Sequence, residues 1–388
     1  MIHHVVAGVL LASLVPAGNP ASADKLPLGD AGLTETRAVQ TLERGVTLTR
    51  IVRGTEPAPA GEINTTTKGP WRVTVLTIDP DRAKGHLKAT YGADLARTET
   101  VSDLVAAEDA VAGVNASFFT FTASQLYPGT PVGLGVYRGR LLSEPTADVA
   151  EADLVIDSHR NKMAVGKLSF TGTVVNPRSK AALPIAQIND PSAAVAEFTA
   201  EFGARTPAGD GAEVVLDKRG CVVRVAATRG TALVTGQTSL QATGDQATAL
   251  TALAHGCLRI SHTVTDESGR RVPIKPGTYA VNGRYRLLAR GEIVVPDGTG
   301  SFFDRNPRTI AGTNRHGDLV LATIDGRLTT SVGTTMDETA AVARALGLRD
   351  AINLDGGGST TMVAGGAVVN SPSGGAQRPV GDALVWDR

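Results

Sequence analysis

The sequence predicts an α+β fold in which the strands of a mixed sheet dominate and the helices are few and short. Short runs rich in Val, Ile and Thr recur along the chain, which is typical of strands. Helical spacing of apolar residues with a capping signal occurs at only two places. The length of 388 residues suits one large domain or two ordinary ones.

The predicted elements follow from local patterns. Ser102 is a candidate N-cap of a first helix, because apolar residues follow it at helical spacing. Thr335 and Glu338 form a capping-box pattern that opens a second helix, which runs to about Leu346 and ends at Gly347. The predicted strands or strand ends cover residues 72–78, 114–119, 213–216, 221–226, 293–295 and 319–324.

The N-terminus has the pattern of a secretory signal peptide over residues 1–23. An apolar run at 5–15 precedes a small-residue cleavage pattern before Asp24, and an uncleaved anchor or plain helix is the alternative. Residues 24–44 are mixed and polar, so we expect a loose leader or linker there. Because no later segment holds about 20 consecutive apolar residues, we expect a secreted or extracytoplasmic protein without a stable membrane span.

The charge balance argues against nucleic acid and anionic membranes as partners. Lys and Arg number 38, and Asp and Glu also number 38, whereas such partners favour a basic excess. Aromatic residues make up only 4% of the chain, so we expect no aromatic platform for bases or bare sugars. The seven histidines lack the short spacings of metal ligands, so no metal site is predicted from them.

The two cysteines fit an exported protein. Cys221 and Cys257 could form one structural disulfide in an oxidising compartment. Both also lie among apolar residues, where a free buried cysteine would be ordinary. No local pattern supplies a histidine partner for a catalytic thiol.

The segment at residues 351–362 is the most informative candidate site. Strand alternation places Asn353 and Asp355 on one face and the neighbouring Ile352 and Leu354 on the other. Three glycines follow at 356–358, and the N–H groups of such a loop can point at an anion. The alternative is a glycine-rich hairpin turn with a helpful aspartate.

Three further patterns place polar groups beside strands. Asp325, Gly326 and Arg327 directly follow a predicted strand. The Asp-Gly pair is also a common signal for a hairpin turn. Arg305 and Arg308 flank an X-Pro bend and could bind phosphate or form a solvated basic turn. Asn115 ends a strand beside two phenylalanines and could equally be a hydrogen-bonded core amide.

Several motifs occur in one order along the chain, and together they resemble the phosphodiester glycosidase family. The resemblance is to a secreted bacterial member and is strongest after residue 305. It implies one domain over residues 45–388 with a divergent central region at about 150–300. The motifs lie at residues 115–119, 131–134, 308–309, 324–327 with Ser331, 335–338, 353–359 and 377–384.

The sequence departs from the family pattern at three points. Ala116 takes the position of a usual glycine before the phenylalanine pair. Asn306 stands where a histidine commonly precedes the Pro-Arg-Thr step, and Asn282 with Gly283 replaces a frequent Gly-Gly. These departures bear on substrate identity more than on the fold.

The resemblance implies a hydrolase that cleaves a sugar-1-phosphodiester into free sugar and a phosphomonoester. Because a phosphomonoester leaves more readily than a sugar alkoxide, charge stabilisation matters more than a strong general acid. Asp355 and Asp325 are the implied catalytic residues, as nucleophile, general base or oxocarbenium stabiliser. The implied substrate-binding residues are Asn115, Arg308, Thr309, Arg327, Asn353, Gly356, Gly357, Gly358 and Ser359.

The implied partner is a phosphorylated glycan or glycosyl phosphodiester, and no cofactor is implied. A divalent cation near Asp325 or Asp355 stays open, because carboxylates and carbonyls suit Ca²⁺. Two other functions also remain open. One is a non-catalytic envelope module that binds glycan phosphates, and the other is a glycoside hydrolase acting on a neutral glycan.

Overall fold

The computed structural model describes residues 25–388, in which strands far outnumber helices. The predicted signal peptide at residues 1–23 lies outside the described residues. The α-helices are α1 (Val101–Ala107), α2 (Asp245–Leu253) and α3 (Met336–Ala345), and short 3₁₀ helices cover Ala60–Glu62, Thr120–Thr122 and Gly357–Ser359.

The strands are short and are distributed along the whole described chain. The first thirteen are β1 (Glu35–Glu43), β2 (Val46–Arg53), β3 (Trp71–Ile78), β4 (His86–Tyr91), β5 (Ala112–Asn115), β6 (Gly135–Tyr137), β7 (Arg140–Ser143), β8 (Glu151–Asp157), β9 (Lys162–Gly166), β10 (Ser169–Val175), β11 (Ala182–Ile185), β12 (Gln187–Ile188) and β13 (Val195–Thr199). The others are β14 (Gly209–Leu216), β15 (Val222–Arg229), β16 (Thr238–Ala242), β17 (Arg259–Thr265), β18 (Thr278–Arg284), β19 (Arg286–Ala289), β20 (Glu292–Ile293), β21 (Arg308–Asn314), β22 (Leu319–Ile324), β23 (Leu348–Leu354), β24 (Met362–Ala364), β25 (Ala367–Val368) and β26 (Asp382–Asp387).

Over residues 25–388 these strands form five sheets. The largest has the order β1-β2-β3-β22-β21-β23-β19-β20. Two five-stranded sheets share its core, in the orders β25-β24-β5-β26-β4 and β7-β6-β18-β8-β9. The other two sheets are β11-β10-β17 and β12-β13-β16-β14-β15, and β12 pairs in parallel with β13. All other strand pairs in the described chain are antiparallel. The predicted strand-dominated α+β fold is confirmed.

The eight-stranded sheet buries both of its faces. On β22, Leu319 and Leu321 point into the core shared with the two five-stranded sheets. Val320 and Ala322 point the other way, into the core that α3 covers. Because successive side chains alternate between two buried faces, β22 is apolar at every position except Thr323, as expected for a strand buried on both faces.

Helix α3 and strand β23 confirm two sequence patterns. The Thr335 hydroxyl accepts from the Glu338 N–H, and the Glu338 carboxylate accepts from the Thr335 N–H, which is the predicted capping box. On β23, Ile352 and Leu354 lie in the core away from α3. Alternation therefore turns Asn353 toward the opposite face, where the candidate site lies.

Residues 169–265 add a further layer built from the two remaining sheets and α2. Its apolar core includes Val214, Leu240 and Leu250. Cys221 and Cys257 form the predicted disulfide there, which joins the residue before β15 to the segment after α2.

The leader predicted for residues 24–44 is wrong for its described part. Glu35–Glu43 is strand β1, which pairs with β2, and Leu26 and Leu28 are buried against the α3-side core. Because β1 lies at the edge of the sheet and most of its side chains are exposed or half-buried, it lacks the apolar alternation that reveals an inner strand.

Several element boundaries also differ from the prediction, and two of these differences have a clear side-chain cause. Thr100, not Ser102, caps α1, because its hydroxyl accepts from the Asp103 N–H. Strand β5 ends at Asn115 rather than continuing to residue 119. The chain turns there because the N–H and hydroxyl of Ser117 both donate to the buried Asp382 carboxylate, at 2.7 and 2.6 Å.

Candidate active site

A cavity of about 300 Å³ lies at the edge of the eight-stranded sheet where β21 begins and β22 and β23 end. Loops after β5 and before β26 complete its wall. The cavity brings together seven of the predicted site residues with residues that the prediction did not include. Its lining residues are Phe118, Ser301, Phe302, Asn306, Arg308, Arg327, Asn353, Asp355, Gly356, Gly357, Gly358 and Arg378.

Asp355 is the carboxylate that lines this cavity. Its Oδ1 accepts from the Gly356 N–H at 2.9 Å, and its Oδ2 accepts from the Ser359 hydroxyl at 2.5 Å. The Arg378 guanidinium lies 3.5 Å from Oδ2 and also donates to the Ser359 hydroxyl oxygen. Burial raises the pKa of Asp355 to about 6, although the Ser359 hydrogen bond and the Arg378 charge oppose this rise. The carboxyl therefore ionises near neutral pH.

Each glycine of the loop after Asp355 has its own steric reason. A Cβ on Gly356 would lie 2.7 Å from the Pro307 carbonyl oxygen, and Gly357 has a φ of +56°. A Cβ on Gly358 would lie 3.2 Å from the Arg378 guanidinium. Gly356 is thus required by the close approach of the Pro307 backbone and Gly357 by its left-handed φ, whereas a side chain at position 358 would only shift the Arg378 guanidinium.

The loop offers fewer free N–H groups than the sequence suggests. The Gly356 N–H is bonded to Asp355, and the Gly357 N–H donates to the Pro307 carbonyl oxygen. The Gly358 N–H takes part in no hydrogen bond within residues 25–388. One of the three glycine amides is therefore unpaired in the described chain.

Arg327 and Arg378 supply positive charge to the cavity. Arg327 is exposed at a φ of +60°, and its guanidinium donates to the Asn306 side-chain oxygen at 2.7 Å. No carboxylate in the described chain forms a salt bridge with it. Arg378 stacks 4.6 Å from the Phe121 ring centre and pairs with Asp355. The two guanidinium groups suit an anionic ligand.

Arg308 is buried, and its guanidinium donates mostly to backbone groups of the protein. Its guanidinium donates to the carbonyl oxygens of Thr334, Phe302 and Asp304, at 3.2, 2.8 and 2.7 Å. Burial and the neighbouring Arg327 charge lower its pKa to about 10. Arg308 therefore shapes the loop that carries Phe302 and adds positive potential, while Arg327 is the more accessible cation.

Asn115, Thr309 and Ser359 support the cavity from beneath. The Asn115 Nδ2 donates to the Asp355 carbonyl oxygen at 2.6 Å, and the Thr309 hydroxyl donates to Asn115 Oδ1 at 2.9 Å. All three residues are fully buried and none lines the cavity. Their hydrogen bonds fix the backbone and carboxylate of Asp355.

Asp325 is close in sequence to Arg327 but does not line the cavity. Its Oδ1 accepts from the Asn370 amide and the Ser371 N–H, at 2.9 and 3.1 Å, and its Oδ2 accepts from Ser371. Burial raises its pKa to about 6. In this arrangement Asp325 ties the end of β22 to the segment at residues 370–371.

The prediction of the site omitted Arg378 and the aromatic wall. Arg378 lies in a segment that carried only the family resemblance, and nothing local to it signals a site. Phe118 and Phe302 are 184 positions apart, so only the fold shows that both line one cavity. Asn306 could have been found, since it stands at one of the departures from the family pattern.

Two negative findings concern the described residues only. Within residues 25–388, no group of three or more His, Cys, Asp or Glu side chains is arranged to hold a metal ion. None of the helices in that part of the chain has the length and hydropathy that a membrane span needs.

The fold and the cavity define a β-rich protein whose site combines one carboxyl with several guanidinium groups. Residues 210–386 match the sequence model of the phosphodiester glycosidase family. This match confirms the resemblance that the motifs indicate, over the part of the chain that holds Arg308, Arg327, Asp355 and Arg378.

A curated relative and two crystal structures are similar to this chain. The N-acetylglucosamine-1-phosphodiester alpha-N-acetylglucosaminidase of Mus musculus is 33% identical over 115 residues, which are 26% of this chain and 22% of the relative. A crystal structure of a Burkholderia pseudomallei protein has a TM-score of 0.81 at 26% identity and covers 94% of this chain and 98% of that one. A Synechocystis protein shares the fold, with a TM-score of 0.70 at 19% identity over 92% of this chain and 68% of its own.

Proposed function

We propose that this protein is a secreted glycosidase that hydrolyses a sugar-1-phosphodiester. The observation that carries the proposal is the pairing, in one cavity, of the buried Asp355 carboxyl with the accessible Arg327 and Arg378. A neutral substrate would leave Arg327, which forms no salt bridge among the described residues, without an anionic partner. The family match at residues 210–386 and the name of the mouse relative support the same reaction.

The proposed chemistry assigns the phosphate to the cationic groups. Arg327, Arg378 and the Gly358 N–H can donate to phosphate oxygens and stabilise the charge that develops as the phosphomonoester leaves. The bond between the anomeric carbon and the phosphate oxygen breaks, and the electron pair leaves with that oxygen. The released phosphomonoester then takes a proton from solvent as its pKa requires.

Asp355 is assigned to the anomeric carbon. As a carboxylate it can remove a proton from the attacking water, stabilise an oxocarbenium ion that water then captures, or attack the carbon to form a glycosyl ester that water then hydrolyses. In each route a water oxygen forms the new bond to the anomeric carbon, and free sugar is released. It is the carboxylate that lines the cavity in the described chain, and a phosphate leaving group needs little acid assistance. We therefore assign catalysis to Asp355 and a positioning role to Asp325, through its bonds to Asn370 and Ser371.

Hydrolysis of a panel of α- and β-linked glycosyl-1-phosphodiesters tests the proposal, with ³¹P NMR to follow the phosphomonoester and a separate assay for free sugar. The protein would start at Asp24, after the proposed signal peptide. Wild-type protein should release both products from at least one substrate, and Asp355→Asn should lower kcat at least about 1,000-fold. An Asp355→Asn protein with full activity would contradict the catalytic role assigned to Asp355.

The panel also separates the other functions. Saturable binding of glycosyl phosphates without any product would indicate a binding module. Cleavage of a nitrophenyl glycoside as fast as the best phosphodiester would indicate a hydrolase of neutral glycans.

A further inference from the structure

One side of the cavity is built from two aromatic rings. The Phe118 and Phe302 ring centres are 6.0 Å apart with a 45° angle between the planes. Both side chains are half-buried, and both line the cavity. Parts of two rings are therefore exposed to whatever occupies the cavity, although the low aromatic content of the sequence predicts no such platform.

The surrounding residues hold these rings in place. The Asn282 side chain bonds both backbone groups of Phe118: its Oδ1 accepts from the N–H at 3.0 Å, and its Nδ2 donates to the carbonyl at 3.3 Å. The Arg284 guanidinium lies 5.4 Å from the Phe118 ring centre. Phe302 packs on Tyr285, and its carbonyl oxygen accepts from Arg308. A ligand would therefore meet a largely preformed wall.

Asn353 adds a polar group that has no partner in the protein. Asn353 is 1% exposed, and its Oδ1 is buried without a hydrogen-bond donor among the described residues. The residue lines the cavity and lies two positions before Asp355 on the same face of the chain, about 7 Å away by strand geometry. Leaving such a buried acceptor unpaired costs free energy, so the position favours a ligand that donates.

We propose that Phe118, Phe302 and Asn353 form the sugar subsite of the cavity, which takes a sugar ring carrying a hydrogen-bond donor near its anomeric carbon. This inference rests on the proposed function and specifies where the two halves of the substrate bind. A phosphodiester has no hydrogen to donate to Asn353 Oδ1, the acceptor that lacks a partner in the described part of the chain. A sugar has C–H groups that pack on the rings and hydroxyl or amide groups that donate to Asn353.

Separate binding of the two halves tests the subsite without requiring turnover. Saturation-transfer NMR would measure the binding of a monosaccharide panel and of orthophosphate to the full protein from Asp24. Phe302→Leu and Asn353→Leu should weaken binding of the preferred sugar at least about tenfold and change orthophosphate binding less than twofold. Arg327→Gln should weaken orthophosphate binding at least about tenfold and change binding of the preferred sugar less than twofold. Phe170→Leu, a half-buried phenylalanine on β10 outside the cavity, is the matched control.

The outcomes are distinguishable from failure of the proposed function. Sugar binding that depends on Phe302 and Asn353 supports the subsite even if no phosphodiester is hydrolysed. Hydrolysis with sugar binding that is unchanged in both variants would overturn the subsite and leave the glycosidase proposal intact. Absence of sugar binding to wild-type protein at millimolar sugar, or equal loss of sugar and orthophosphate binding in folded Phe302→Leu, would also overturn it.

Discussion

Asn115 and Asp355 are 240 positions apart in the sequence, yet the Asn115 Nδ2 donates a 2.6 Å hydrogen bond to the Asp355 carbonyl oxygen. The Asn115 Oδ1 accepts from the Thr309 hydroxyl and the Thr361 N–H, at 2.9 and 3.1 Å. One buried amide thus fixes the backbone before and after the glycine loop, so the position of the cavity carboxylate depends on a strand from another sheet.

Asn115→Asp should therefore impair activity beyond its effect on folding. The new oxygen would face the Asp355 carbonyl oxygen, which loses its donor, so we expect a loss of about 1–3 kcal/mol in the free energy of unfolding and at least a tenfold lower kcat. Urea unfolding and steady-state kinetics measure both. The matched control is Asn176→Asp, because the Asn176 amide donates to the Leu253 and His255 carbonyl oxygens away from the cavity. It should destabilise the protein similarly and leave kcat unchanged. Equal kinetic effects of the two variants would contradict the positioning role of Asn115.

The pH dependence of activity should follow Asp355. Its pKa of about 6 predicts that kcat/KM rises with pH through a midpoint near 6 and then levels off, because the carboxylate is the active form. The Ser359 hydroxyl bonds the charged form at 2.5 Å, so Ser359→Ala should raise the pKa and shift the midpoint to higher pH. Profiles between pH 4 and 9 test this. A midpoint that stays fixed or moves lower in Ser359→Ala would show that another group controls the rate.

Asp355 should also destabilise the folded protein at neutral pH. The folded-state pKa of about 6 lies above the ordinary value near 4, so the folded state holds the proton more tightly than the unfolded state. The contribution of Asp355 to the free energy of unfolding is therefore fully present below about pH 4. It falls by about 2–3 kcal/mol as the pH rises through 6. Asp355→Asn carries no charge and should be more stable than wild type at pH 8 but not at pH 4.

Urea unfolding at the two pH values measures that difference, with the exposed Asp297→Asn as a control that should change neither value. If Asp355→Asn is less stable than wild type at pH 8, the hydrogen bonds and charges around the carboxylate stabilise it more than burial destabilises it.

The sequence allowed much of the site to be predicted, and the reasons for success and failure are physical. Asp355, Asn353 and the glycines lie on one continuous segment, so strand alternation and glycine geometry reveal them. Phe118, Phe302 and Arg378 meet only through the packing of distant loops, which no local spacing encodes. Strand β1 was not predicted for a different reason. An exposed edge strand needs no apolar face, so its sequence lacks the alternation that indicates a strand.

Arg327 should bind substrate without stabilising the fold. Its guanidinium is exposed and bonds Asn306, so Arg327→Gln should raise KM about 10- to 100-fold, the value of a lost charge-assisted hydrogen bond, with little change in unfolding. The matched control is Arg315→Gln, an exposed arginine beside His316, which should leave KM unchanged. A similar increase in KM for both variants would mean that general charge, not a phosphate contact, is responsible.

The disulfide should stabilise the layer at residues 169–265 and leave catalysis intact. Cys221 and Cys257 are 36 positions apart, so loop closure predicts a loss of about 3–4 kcal/mol in the Cys221→Ser, Cys257→Ser double variant. The cavity lining includes no residue of this layer, so kcat at 25 °C should not change. Thermal unfolding and kinetics with and without reductant measure the two effects. A large loss of kcat in a protein that remains folded would show that this layer contributes to the site.

The position of bond cleavage tests the central claim most directly, because free sugar and phosphomonoester could also arise from attack at phosphorus. Hydrolysis in ¹⁸O-labelled water distinguishes the two routes through mass spectrometry of the sugar and ³¹P NMR of the phosphomonoester. With Asp355 acting at the anomeric carbon and the arginines holding the phosphate, the label should enter the sugar and the phosphomonoester should stay unlabelled. Label in the phosphomonoester would contradict the account and identify the protein as a phosphodiesterase.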